Sequence, residues 1–155
     1  WGCLISIGIC ALIPLIFYRN KKTVYDILSN ALVTSFSVTM LAGYSEKWML
    51  PLSYLSFAVM WLVSCFWKVP LTAHYSMNSY GGEDALQNAL FLKTNRILTM
   101  AWGVLYLFTS VFTWLLMRTS ISSFVGLINS VLPIFMGLFT AWFQKWYPAK
   151  VAGGK

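Results

Sequence analysis

Five apolar runs follow one another along the chain, at 1–17, 27–43, 48–67, 97–117 and 124–143, with polar and charged residues gathered in the gaps. Each run is close to the 20 or so apolar residues that carry a helix across a bilayer. A buried helix of a soluble domain keeps a polar side for water, and five successive runs without such alternation leave none. The pattern predicts an all-α integral membrane protein: a bundle of about five transmembrane helices in a single domain over 1–150, followed by a flexible tail over 151–155. Tyr18, Trp48, Trp67, Trp114, Trp142, Trp146 and Tyr147 fall near the expected ends, where amphipathic rings prefer the headgroup level.

Only the third connection, 68–96, is long. Gly81 and Gly82 break it, Glu83 and Asp84 suit the first turn of a helix, and Ala85, Leu86, Ala89 and Leu90 repeat at helical spacing. A short amphipathic helix lying along the membrane interface is expected there, running toward the fourth membrane helix.

Composition agrees with this pattern. Of 155 residues, 59% are hydrophobic and 10% charged, against about 25% charged in an ordinary soluble domain. The net charge of +7 alone would fit nucleic acid. Nucleic-acid binders carry their cations as a patch on a water-soluble surface, whereas here they lie between apolar runs, where anionic lipid accounts for them. No nucleic-acid partner is expected.

Lys and Arg also give an orientation. The first connection holds Arg19, Lys21 and Lys22, the second Lys47, the third Lys68, Lys93 and Arg96, the fourth Arg118, and the tail Lys145, Lys150 and Lys155. That alternation puts 18–26, 68–96 and the carboxyl tail in the cytoplasm of a multi-pass inner (plasma) membrane protein, nine basic residues against two. The chain opens at Trp1 inside an apolar run with its basic cluster behind it, which fits a retained helix of a longer protein better than a cleaved signal.

Candidate chemistry is sparse. Cys3, Cys10 and Cys65 form no CxxC and read as reduced thiols. No Asp, Glu, Lys, Arg or His falls within the expected spans, which argues against a proton-coupled carrier. One histidine is too few for the common zinc sites or for a haem held by two histidines, so no metal, cofactor or catalytic residue is assigned. His74, Glu83 and Asp84 form a candidate polar site in the third connection, able in principle to serve acid–base or metal chemistry. Asn30 and Asn129 are candidate intramembrane polar positions, joined in the apolar runs by Thr34, Ser35, Ser64, Thr109, Thr113 and Ser130. Such side chains either line a path or bond within helix contacts, and the second is the commoner use. Gly126, Ser130, Gly137 and Ala141 form small-xxx-small pairs that suit close packing of the last helix, inside the bundle or against a second copy.

The turn Tyr18–Arg19–Asn20–Lys21–Lys22, the step Lys68–Val69–Pro70–Leu71 after a membrane helix, and Asn95 followed by Ala101 and Trp102 resemble the intracellular septation protein A family of small bacterial inner-membrane proteins. The second of these is similar to the family's Lys-Pro-Leu motif, the third to an Asn and Ala-Trp pair opening its penultimate helix. What the resemblance implies is a non-enzymatic role in cell-envelope maintenance and septation, acting through other membrane proteins or self-association in the lipid bilayer. It carries over no catalytic residue. Two readings stand beside it: a small transporter or channel for a neutral or amphipathic solute, and an interfacial membrane enzyme or accessory subunit using the His74 to Asp84 loop.

Overall fold

A computed structural model describes residues 2–16 and 23–154, with the side chains of 13–16 excepted. The basic cluster Arg19, Lys21 and Lys22 and the final Lys155 lie outside the described residues. Every regular element among those described is helical. Six α-helices follow in order: α1 (Gly2–Ile16), α2 (Val24–Leu41), α3 (Glu46–Ser64), α4 (Leu71–Ser76), α5 (Ala89–Leu116) and α6 (Val125–Gly153). Single 3-10 turns at Met77–Tyr80, Gly82–Gln87 and Ser122–Phe124 complete the connections.

Local chemistry sets several boundaries. Thr23 and Asp26 form a reciprocal capping box that starts α2, with Asp26 N–H donating to Thr23 Oγ1 at 3.2 Å and Thr23 N–H to Asp26 Oδ2 at 2.9 Å. Asn88 starts α5, its Oδ1 accepting from the amides of Leu90 and Phe91. Because of that cap α5 opens at Ala89 rather than at the expected 97, and it absorbs Lys93 and Arg96 into its first turns. The amphipathic helix expected after Gly82 is correspondingly divided. Gly81 and Gly82, at φ +101° and +72°, reverse the chain into a 3-10 turn ending at Gln87, and Leu90 belongs to α5. α6 continues past the expected end at 143 to Gly153, so residues 151–153 of the stretch expected as a tail are helical and Gly154 is a turn.

Three helical segments are long and apolar enough to cross a membrane: Val24–Leu41, Ala89–Leu116 and Ser122–Gly153. Length and composition thus support three of the five expected crossings. The described apolar part of α1, Gly2–Leu12, is shorter, while α3 opens on Glu46 and Lys47 and carries Ser53, Tyr54 and Ser56.

Packing centres on α5, which lies against α3, α4 and α6; α2 packs on α3, and α1 on α2. The α3–α5 approach is closest at Gly103, where an added Cβ would stand 2.7 Å from the side chain of Leu62 and 3.2 Å from its backbone nitrogen. Beside it Trp61 and Trp102 stack at 5.4 Å between ring centroids. One end of the bundle collects the start of α2, the end of α3, α4, the start of α5 and the end of α6. There Tyr25 lies 5.3 Å from Trp67, and Arg96 Nη2 donates to the Trp67 carbonyl at 3.1 Å. At the opposite end Arg118 sits over the Trp114 ring at 3.7 Å and faces Trp48 at 5.8 Å.

Candidate functional site: a polar seam along α5

The inward face of α5 is polar. Thr94, Asn95, Thr99, Thr109, Ser110 and Thr113 are all buried, in two sets, 94–99 and 109–113, whose spacing places them on one face of the helix, with Gly103 buried between the sets. From Asn95 to Thr113 this face extends about 27 Å at 1.5 Å per residue, nearly the thickness of a bilayer's hydrocarbon core.

Hydrogen bonds to three neighbouring helices run along it. At the α4 end, Asn95 Oδ1 accepts from Ser76 Oγ and from Gln144 Nε2, both at 3.0 Å, while its Nδ2 donates to the Phe91 carbonyl at 2.9 Å. One turn on, Thr99 Oγ1 lies 2.9 Å from Thr72 Oγ1 and accepts from the Thr72 amide at 3.1 Å, so α4 is held through its first turn. Trp102 Nε1 donates to Thr140 Oγ1 on α6 at 3.0 Å, and Ser110 Oγ donates to the Pro51 carbonyl on α3 at 2.8 Å. Last, Asn129 Nδ2 donates to Thr113 Oγ1 at 2.8 Å. The Asn129 Oδ1 is buried with no hydrogen-bond partner among the described residues.

Residues singled out in the sequence divide among separate places. Asn129 belongs to the seam, but Asn30 bonds the Cys10 carbonyl at 2.9 Å in the α1–α2 contact, so the two candidate intramembrane positions share no path. Gly126, Ser130, Gly137 and Ala141 are exposed on α6, and a Cβ at Gly126 or Gly137 would meet open space. These small residues therefore open to the outside and do not close on a described helix. His74 stands on α4 with its ring edge-on to Tyr25 at 5.4 Å and its Nδ1 buried without a hydrogen-bond partner among the described residues. Burial holds the His74 pKa below the usual imidazole range, opposed by the negative charge of Asp26. Glu83 and Asp84 are exposed on the 3-10 turn. Among the described residues His, Cys, Asp and Glu do not gather in threes that could hold a metal ion.

Two cavities flank this framework. One of about 190 Å³ sits at the α4 end, between Tyr80, Asn88, Asn95, Gln144 and Pro148. The other, about 470 Å³, is an apolar groove between α2 and α3, lined among others by Leu32, Leu55, Val59 and Met60 and by Tyr25 and Trp67 at one end.

Sequence reading noted Thr109, Thr113 and Asn129 as polar positions but missed Thr72, Ser76, Thr94, Thr99, Ser110 and Gln144 as their companions. The signal was available in the spacing of polar residues on α5, read at the helical period in the way apolar residues are read in a soluble helix.

The chain matches no family model, and no curated protein and no solved structure is significantly similar to it.

Proposed function

We propose that this chain is a small multi-pass protein of a bacterial inner membrane with a structural or interaction role in cell-envelope biogenesis or septation, acting through contacts with membrane partners or copies of itself. The observation that carries the reading is the seam: polar side chains on α4, α5 and α6 are bonded to one another in direct contacts, and α3 joins them through the Pro51 carbonyl, the use that fixes helices in lipid. A path for a solute would call for such groups to face a common channel. Asn30 and Asn129 sit in different helix pairs, which weighs against the transporter alternative.

In this reading α1 and α3 cross the membrane together with α2, α5 and α6. The end bearing α4 faces the cytoplasm, as the distribution of Lys and Arg supports. Membrane-impermeant thiol labelling tests this on a variant whose three native cysteines are replaced by serine. Ser79→Cys is expected to react only from the cytoplasmic side, and Ser45→Cys and Ser120→Cys only from the outside. Labelling of all three from one side would remove the topology.

The role itself is tested by imaging a fluorescent fusion in dividing bacteria while the native copy is depleted. Enrichment at the division site, with delayed septum closure on depletion, is the expected result. Uniform distribution with normal division would overturn the septation role.

A further inference from the structure

The geometry points to a binding site for one anionic phospholipid, with an acyl chain in the α2–α3 groove and its headgroup at Arg96 and Lys68. The groove holds about 470 Å³, inside the range of 300–1,000 Å³ typical of small-molecule sites. Its α3 wall runs from Leu52 to Val63, about 16 Å of helix, which is half of a 30 Å hydrocarbon core and so the depth of a single leaflet. Its walls are apolar apart from Ser56 and Ser64, and they end at the aromatic pair Tyr25 and Trp67, the residue types that settle at headgroup level.

Charge at that mouth selects the headgroup. Arg96 is exposed and commits one guanidinium N–H to the Trp67 carbonyl, out of the five such donors an arginine carries. Lys68 follows Trp67 directly and is exposed as well. Asp26, next to Tyr25 in the chain, accepts hydrogen bonds from Thr23 and Tyr75. A guanidinium and an ammonium above an apolar slot of leaflet depth are the complement of a phosphate ester on an acyl chain; basic pockets between membrane helices take anionic headgroups on the same grounds.

Native mass spectrometry of the full chain in mild detergent, incubated with equal amounts of phosphatidylglycerol and phosphatidylcholine of identical acyl chains, reads the site directly. One phosphatidylglycerol is expected to be retained over phosphatidylcholine, and Lys68→Gln and Arg96→Gln are each expected to lower that preference about five-fold, the effect of one cation near an anionic surface. Lys68→Gln leaves the Arg96 bond to α3 intact and reads charge alone. Val59→Trp, which fills the groove, is expected to abolish retention of both lipids with no change in mass of the protein assembly. Equal retention of the two lipids by the native chain, or a preference unchanged in both charge variants, would overturn the assignment. So would loss of a dimer on Val59→Trp, because the groove would then be the seat of a helix from a second copy.

Discussion

α5 and α6 are two apolar helices of almost the same length, 28 and 29 residues, yet they use their surfaces in opposite ways. In its most apolar stretch α5 is 33% buried, whereas the segment containing α6 is 11% buried. What α5 buries is largely hydroxyl and amide; what α6 leaves exposed is Leu127, Ile134, Phe135, Leu138 and Trp142. In water the apolar helix side would be the inner one. Lipid tails are as apolar as leucine, so apolarity carries no inward direction in a bilayer, and the contact side is marked by small residues and by polar groups that need a partner. The same types occur on α6 at Gly126, Ser130 and Gly137, but there they face outward.

The sharpest way to break the contrast is to enlarge one glycine on each helix. Gly103→Val is expected to lower stability by about 2 kcal/mol, the usual cost of overpacking, since its side chain meets Leu62 down to the backbone. Gly137→Val meets open space and is expected to change stability by under about 0.5 kcal/mol, the level of an uninvolved surface substitution. Reversible unfolding in mixed micelles at increasing dodecyl sulfate measures both, and equal losses would mean that α6 is packed as closely as α5.

A smaller effect is expected from polar deletion. Asn95→Leu removes two contacts between helices and is expected to cost about 1 kcal/mol, at roughly 0.6 kcal/mol per contact. Ser130→Ala removes a hydroxyl bonded to Gly126 in its own helix, and no measurable change in the same unfolding assay is expected. Smaller still is one of the bonds between α5 and α6: a double-mutant cycle of Trp102→Phe with Thr140→Val is expected to give a coupling of about 0.6 kcal/mol. A coupling of zero would mean that this pair adds nothing beyond packing to the α5–α6 contact.

The smallest expected effect concerns α4, which is fastened to the seam by Thr72 and Ser76. The folded protein holds His74 below its ordinary pKa of about 6.5, so the unfolded chain binds the proton more readily. The contribution of neutral His74 is therefore complete above about pH 6.5 and declines as pH falls from there through the lower folded value. A titration of stability from pH 7.5 to 5 should show this decline in the native chain, and a flatter profile in His74→Phe. The same slope in both would place the titrating group elsewhere.

Much of the fold was legible in the sequence because runs of apolar residues and their breaks are local features. The expected α2 and α3 differ from the observed ones by a few residues at each end. The start of α5 was not legible because the 68–96 segment mixes polar and apolar residues. A single asparagine, Asn88, decides there between a continuing interface helix and a new membrane helix. Of the candidate site, individual members such as Thr113 and Asn129 could be seen, but their pairing joins residues far apart in the chain, Asn95 with Gln144 and Thr72 with Thr99. Which helices become neighbours is a tertiary outcome, and one-dimensional spacing is silent on it. The expectation that His74, Glu83 and Asp84 share a site rested on closeness in sequence. α4 sets His74 against Tyr25 of α2, and Glu83 and Asp84 stand on the 3-10 segment that the left-handed Gly81 and Gly82 introduce.

One feature of the seam bears on how the protein is made. The hydroxyls of Thr94, Thr99 and Thr109 on α5, and of Thr140 on α6, each bond a carbonyl four residues earlier in their own helix. Such a helix brings its polar groups into the bilayer already partnered, so it can leave the insertion machinery alone and meet its neighbours later. The amide of Asn129 has no such internal remedy and finds its partner Thr113 only once α6 lies beside α5. Synthesis order places that step after α5 has entered the bilayer, because α5 is complete before α6 emerges.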